Sequence, residues 1–137
     1  MQKLPHHYRV AATAGPDESV ALSSSGLPDL ESAPPAEYGG PGDKWSPETL
    51  LVAAVADCFV LSFRAIARAS KLEWQSLECD VEGVLDREDN TTRFVGFRVK
   101  AVLDAPSGTD ESKAKRLLEK AEESCLITNS LKATPTL

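Results

Sequence analysis

The chain has few of the residues that staple small secreted or metal-bound domains. It contains three cysteines and two histidines in 137 residues. Cys58, Cys79 and Cys125 are odd in number and widely spaced, unlike a secreted disulfide framework, and no pair has zinc-finger spacing. His6 and His7 are adjacent near one end, a position in which histidines are more often solvated than bound to metal. We therefore expect no metal centre.

Basic charge is also scarce. The chain carries 15 Lys and Arg against 21 Asp and Glu, a formal net charge of −6, and its basic residues are scattered. Nucleic acids and anionic membranes need a basic footprint, so we expect neither as a partner. No apolar run of secretory length begins the chain, and the cysteine usage is typical of a reducing cytoplasm. These features predict a small, acidic, cytoplasmic protein.

The longest apolar run is too short for a membrane helix. Residues 50–63 contain only two polar side chains, Asp57 and Ser62, and Arg64 ends the run. A membrane-spanning helix needs about 20 apolar residues, so this run predicts a buried core helix instead. The chain length predicts one domain over residues 1–137.

Before this helix, the sequence predicts short strands separated by loops. Residues 8–14 and 19–24 are short strand candidates. Residues 25–47 hold five prolines and four glycines, which exclude a regular helix and predict a loop. Ser46 is the predicted N-cap of a helix that runs to about Ser70. Because that helix is apolar nearly all round, we expect a sheet on one side and another subunit on the other.

The second half predicts a hairpin and a second helix. Residues 74–85 and 94–103 alternate polar and apolar side chains around a polar turn, as in an antiparallel pair with one buried face. Residues 110–124 carry an apolar stripe at helical spacing, and residues 127–137 suit a final short strand. The apolar positions of the first hairpin strand are Leu77, Cys79, Val81, Val84 or Gly83, and Leu85. The fold class is α+β, with antiparallel sheets packed on a long buried helix and a second amphipathic helix.

Three residues are candidates for chemistry. Cys58 lies midway along the apolar helix, and Cys125 lies on the apolar side of the second helix. They form a redox pair only if they come within bridging distance, and simple packing is the alternative. Glu48 lies ten residues before Cys58, about 15 Å along a straight helix, so it serves that thiol only from a second copy of the chain. Otherwise Glu48 complements the helix dipole. Cys79 is interpreted as structural.

The order of these segments resembles the OsmC/Ohr family, the osmotically inducible and organic hydroperoxide resistance proteins, and is nearest its Ohr-like branch. The resemblance covers residues 8 to 131. The segments that carry it are residues 39–42, residues 46–51, residues 53–59 with Cys58, the paired strands with Gly96 and Phe97, and residues 121–125 ending in Cys125.

This resemblance implies an intertwined homodimer with its active sites between the subunits. It implies a cysteine-based peroxidase that reduces organic hydroperoxides without a cofactor. Cys58 matches the peroxidatic cysteine, Cys125 the resolving cysteine, and Glu48 the acidic residue that holds an arginine against the thiolate. An external dithiol would then reduce the Cys58–Cys125 disulfide.

Two positions depart from the family pattern. The hairpin-turn arginine of the Ohr-like branch is absent from residues 15–18, which leaves Lys44, Arg9 and Arg64 open as the activating cation. Leu126 stands where the family usually has a proline after the resolving cysteine. The alternative function is a noncatalytic protein that binds an apolar small molecule at the dimer interface.

Overall fold

The computed structural model describes residues 2–137, in which two compact units are distinguished, one that ends at Leu50 and one over residues 51–137. Each unit contains one three-stranded sheet. The α+β class is confirmed. The single domain over residues 1–137 and the homodimer stay predictions.

The first unit contains a small antiparallel sheet. Its strands, in the order β1-β2-β3, are β1 Ala11–Thr13, β2 Val20–Ser23 and β3 Leu30–Ser32. The two early strands confirm the sequence expectation, but β3 lies in the stretch that was predicted as a loop. It forms because its backbone pairs with β2 and because Ser32 bridges Trp45. A 3₁₀ turn at Ala36–Tyr38 follows β3.

Helix α1 spans Pro47–Ala69, in agreement with the predicted bounds. Its first turn is fixed by a reciprocal cap. The Ser46 hydroxyl accepts from the Thr49 N–H at 3.1 Å, and the Ser46 N–H donates to the Thr49 hydroxyl at 2.8 Å. By length and composition alone α1 would also cross a membrane, a test that the core helix of a soluble protein passes equally well.

The second unit is built on a long hairpin. Its strands are β4 Ser76–Glu88 and β5 Thr91–Asp104. Asp89 and Asn90 form the turn with φ of 51° and 64°, a left-handed region that short polar side chains tolerate. A register shift between Val84 and Leu85 ends the simple alternation. Leu85, the last apolar position expected on this strand, is 37% exposed.

Helix α1 packs closely against this hairpin. A stripe of four buried side chains at successive i, i+4 positions faces the core: Val55, Phe59, Phe63 and Ala67. Gly83 makes the approach possible, because a Cβ at this position would lie 2.7 Å from Val52 Cγ2. The stripe explains why the helix is apolar on its inner side.

The chain ends with two helices and a short strand. Helix α2 spans Glu111–Glu123, and its N-cap, Asp110, accepts from two backbone N–H groups. The one-turn helix α3 spans Leu126–Asn129 and was not predicted. The predicted final strand is β6, Pro135–Thr136, which runs parallel to β5. The second sheet is therefore mixed, whereas the sequence predicted antiparallel pairing.

Candidate functional site

Cys58 lies on α1 beside the buried stripe. It follows Asp57, which is exposed, and precedes Phe59, which is 2% exposed, so its thiol lies at the border of the packed face. The Cys58 sulfur is half-buried and lies 3.9 Å from the hydroxyl of Ser62, one helical turn later. This position keeps the sulfur partly accessible while the helix beneath it is fixed by packing.

Cys125 lies where α2 gives way to α3. It is 2% exposed and is the N-cap of α3. Its backbone N–H donates to the Glu122 carbonyl at 3.3 Å, and its carbonyl accepts from the Thr128 hydroxyl at 3.1 Å. Backbone bonds on both sides therefore fix Cys125, and its thiol is more deeply buried than that of Cys58.

The fold brings these two thiols together. Both cysteines are free, and each influences the pKa of the other, which places the two side chains close to each other. The backbone N–H of Ile127, in α3, acts to lower the pKa of both thiols. The pair joins α1 to the junction between α2 and α3, segments far apart in the sequence.

The two thiols differ in their ionisation. Burial raises the pKa of Cys58, the neighbouring Cys125 raises it further, and hydrogen bonds from Ile127 and Ser62 oppose the rise. Burial also acts to raise the pKa of Cys125. Hydrogen bonds from the Thr128 hydroxyl and N–H and from the Cys58 thiol outweigh it, so the pKa of Cys125 is lowered. Of the two thiols, Cys125 therefore loses its proton more readily than Cys58.

Cys79 is a third thiol in the second unit. It is half-buried on β4 and packs against the core cluster that contains Phe59 and Ala121. Burial, then the neighbouring Asp80 and Cys125, raises the pKa of Cys79 to about 11. A thiol with that pKa is almost fully protonated at neutral pH, which agrees with its interpretation as a structural residue.

Glu48 lies in the first turn of α1 and belongs to the first unit. Its Oε1 atom is buried and has no hydrogen-bond partner among the described residues. Burying a carboxylate oxygen without a hydrogen-bond partner costs free energy, so a hydrogen-bond donor from outside the described residues would stabilise Glu48. The catalytic role of Glu48 stays a prediction.

Three basic residues are candidates for the cation that activates Cys58: Lys44, Arg9 and Arg64. Lys44 pairs with Glu31, with 3.3 Å between Nζ and Oε2. Arg9 is exposed near β1, and Arg64 is exposed on α1. The structure therefore assigns none of them to a thiol. Within residues 2–137 there is also no group of three or more His, Cys, Asp or Glu side chains suited to a metal ion.

Two hydroxyl residues complete the site. Ser62 stood out in the sequence as one of two polar residues in the apolar run. Thr128 did not, although its spacing of three residues after Cys125 is a usable signal, because a hydroxyl at i+3 reaches back to a helix N-cap residue. Thr128 is 5% exposed.

Comparison with known protein families gives one match. Residues 40–137 match the family described as OsmC-like protein. This region contains Glu48, Cys58 and Cys125, and it also covers the whole of the second compact unit.

Similar proteins include one without a known function and one named for peroxide resistance. The chain is 29% identical to the uncharacterized protein YmaD of Bacillus subtilis strain 168, covering 96% of this chain and 90% of YmaD. It is 31% identical to the organic hydroperoxide resistance protein of Xanthomonas axonopodis pv. citri, covering 90% and 86% of the two chains. A crystal structure of an organic hydroperoxide resistance protein OsmC from Legionella pneumophila, 26% identical, superposes with a TM-score of 0.77 over 97% of this chain and 94% of that one.

Proposed function

Because the chain belongs to the OsmC-like protein family, we propose that it is a cysteine-based peroxidase that reduces organic hydroperoxides to alcohols. The observation that carries this proposal is the proximity of the Cys58 and Cys125 thiols, from α1 and from the α2–α3 junction, which their mutual influence on pKa shows. Packing alone would be served equally well by apolar side chains. A reversible disulfide requires two free thiols close to each other.

The difference in burial assigns the two roles. Cys58 is half-buried, whereas Cys125 is 2% exposed. A hydroperoxide therefore meets Cys58 first, and Cys125 is positioned for a reaction with a sulfur already bound to the protein. Cys58 is the proposed peroxidatic residue and Cys125 the proposed resolving residue.

The proposed reaction has two steps and needs no cofactor. The Cys58 thiolate attacks the terminal peroxide oxygen, which carries the hydrogen, the O–O bond breaks, and the alkoxide leaves and takes a proton to become the alcohol. Cys58 is then a sulfenic acid. The Cys125 thiolate attacks the Cys58 sulfur, the S–S bond forms, and hydroxide leaves and is protonated to water. An external dithiol supplies two electrons and two protons to restore both thiols.

The first step requires Cys58 to lose its proton, which burial and Cys125 oppose. A cation near Cys58 would reverse this balance. We propose that Glu48 of a second subunit helps to hold such a cation, which accounts for its buried and unpartnered Oε1. The proposed homodimer would cover the outer side of α1, which includes Leu61, 49% exposed in the single chain.

The proposal is tested by mass spectrometry of the cysteines after one equivalent of cumene hydroperoxide. We expect rapid loss of two thiols, a Cys58–Cys125 disulfide, and Cys79 unmodified. Cys58→Ser should abolish alcohol formation, while Cys125→Ser should allow one turnover and then leave Cys58 open to further oxidation. Cys79→Ser is the matched control and should behave as the unmodified protein does. Slow, indiscriminate oxidation of all three cysteines would refute the peroxidase.

A noncatalytic role is the second candidate, favoured by the raised pKa of Cys58 and by the absence of the family arginine from residues 15–18. In that case the protein would bind an apolar small molecule at the dimer interface without consuming it. The same experiment separates the two functions, because only the peroxidase releases cumyl alcohol in proportion to the disulfide formed.

A further inference from the structure

The hydroxyl of Ser62 has a sulfur as its hydrogen-bond partner. Its oxygen lies 3.9 Å from the Cys58 sulfur, one helical turn earlier on α1. A serine in a helix commonly donates to the backbone carbonyl four residues earlier instead. Ser124 and Ser130, at the ends of α2 and α3, do so at 2.7 Å. The i, i+4 spacing therefore places the Ser62 hydroxyl beside the sulfur that is proposed to react.

Packing does not account for a hydroxyl at this position. In the apolar run of residues 50–63 the two polar side chains are Asp57, which is exposed, and Ser62, which is half-buried. A half-buried hydroxyl in an apolar run costs free energy unless it forms a hydrogen bond, and alanine is the better helix former. The contact with the Cys58 sulfur is the feature of the structure that accounts for the serine.

The protonation state of Cys58 decides the direction of this hydrogen bond. A thiol and a hydroxyl can each donate to the other, but a thiolate only accepts, so the Ser62 O–H then donates. A hydrogen bond to an ionised acceptor is roughly twice as strong as one between neutral groups, so the contact favours the thiolate. Burial raises the pKa of Cys58, and the Ser62 hydrogen bond opposes that rise.

We propose that Ser62 is a positioning residue for the first step of the reaction, whose hydroxyl donates to the Cys58 thiolate and holds that sulfur for attack on the peroxide. This inference rests on the proposed function. Cys125, at the α2–α3 junction, is the titratable side chain that acts on Cys58 from another element, while Asp57 and Arg64 on α1 are exposed. Ser62 is thus a donor on the same helix as the sulfur, fixed by one turn of backbone.

A titration tests the hydrogen bond apart from any reaction. In a Cys79→Ala, Cys125→Ala background, the ultraviolet absorbance of the thiolate reports Cys58 alone. Ser62→Ala should reduce the thiolate fraction below the midpoint about fivefold, the factor for one hydrogen bond of ordinary net strength, and so move the midpoint up by about 0.7 pH units. Ser62→Thr retains the hydroxyl and should keep the midpoint. Ser112→Ala, at an exposed position of α2, is the control and should also keep it.

Single-turnover release of cumyl alcohol from cumene hydroperoxide tests the role in the reaction. A thiolate of higher pKa is the better nucleophile, which offsets about half of the lost thiolate on a logarithmic scale. Ser62→Ala should therefore release alcohol about two- to threefold more slowly below its midpoint and no more slowly above it. Ser62→Thr and Ser112→Ala should behave as the unmodified protein does at every pH.

Two results would overturn the inference. One is an unmoved Cys58 midpoint in Ser62→Ala. The other is an equal slowing at every pH that threonine does not restore, since that indicates a structural role only. Absence of cumyl alcohol from the unmodified protein, with the midpoint moved as expected, would count against the peroxidase and leave the hydrogen bond from Ser62 to Cys58 established.

Discussion

Replacing Gly83 with alanine tests how tightly the helix that carries Cys58 packs on the hairpin. An added Cβ would lie 2.7 Å from Val52 Cγ2 and 2.9 Å from Phe94 Cε1, both closer than real Cβ contacts. Neither neighbour yields freely, because Val52 belongs to α1 and the Phe94 ring stacks on Phe97 with 5.3 Å between centroids. Overpacking of this kind costs about 1–3 kcal/mol of unfolding free energy. For a chain of this size that is a fall in Tm of about 4–12 °C.

The matched control is Gly96→Ala on the neighbouring strand. A Cβ at Gly96 meets no atom within 4 Å, and Gly96 pairs with Val84 in the same ladder. Its free energy of unfolding should change by less than about 0.5 kcal/mol. Urea unfolding followed by circular dichroism measures both variants. Equal stabilities would show that α1 does not press on the sheet at Gly83, and the packing argument would fail.

Three further predictions address the thiols, the second helix and the assembly. At pH 9, iodoacetamide should modify Cys79 about 50-fold more slowly in the folded protein than in urea, because its pKa of about 11 leaves little thiolate there; similar rates would contradict the burial of this thiol. Asp110→Ala should reduce the unfolding free energy by about 1 kcal/mol in urea titrations, since Asp110 caps two N–H groups of α2. Asp110→Asn should lose less, and equal losses would argue against the cap. Leu61→Glu should convert a dimer to a monomer in light scattering, because a charge would replace an exposed apolar side chain of α1. A dimer unaffected by this change would place the interface elsewhere.

Periodicity predicted the large elements because each buries one face. The alternation of residues 74–85 and 94–103 identified the hairpin, and the apolar run identified α1. Both hairpin strands extend further than the apolar pattern, to Glu88 and from Thr91, because backbone pairing continues through polar residues as far as the turn. Alternation along one strand also does not reveal the register shift between Val84 and Leu85, because that irregularity lies in the pairing of two strands.

The elements that sequence patterns missed are those held by contacts distant in the chain. Strand β3 has three residues amid prolines and glycines, and its pairing with β2 defines it. Helix α3 has four residues, too few for an apolar stripe. For the same reason, spacing identified Cys58 and Cys125 as candidates but did not show that they meet. Their meeting depends on how the α2–α3 junction packs against α1.

The pKa values of the two thiols shift in opposite directions, and each step of the proposed reaction needs a different one of the two thiolates. The second step needs a Cys125 thiolate, and the Thr128 hydroxyl and N–H stabilise that charge within the second unit. The first step needs a Cys58 thiolate, yet burial and the neighbouring Cys125 keep the proton on Cys58. Raising the pH should therefore accelerate alcohol release more than disulfide formation, because Cys58 has the higher pKa of the pair. A cation bound near Cys58 should lower the pKa of Cys58 and so reduce the difference between the pH dependences of the two steps. The pH dependence of alcohol release, compared in the dimer and in Leu61→Glu, thus measures what a second subunit contributes to the first step.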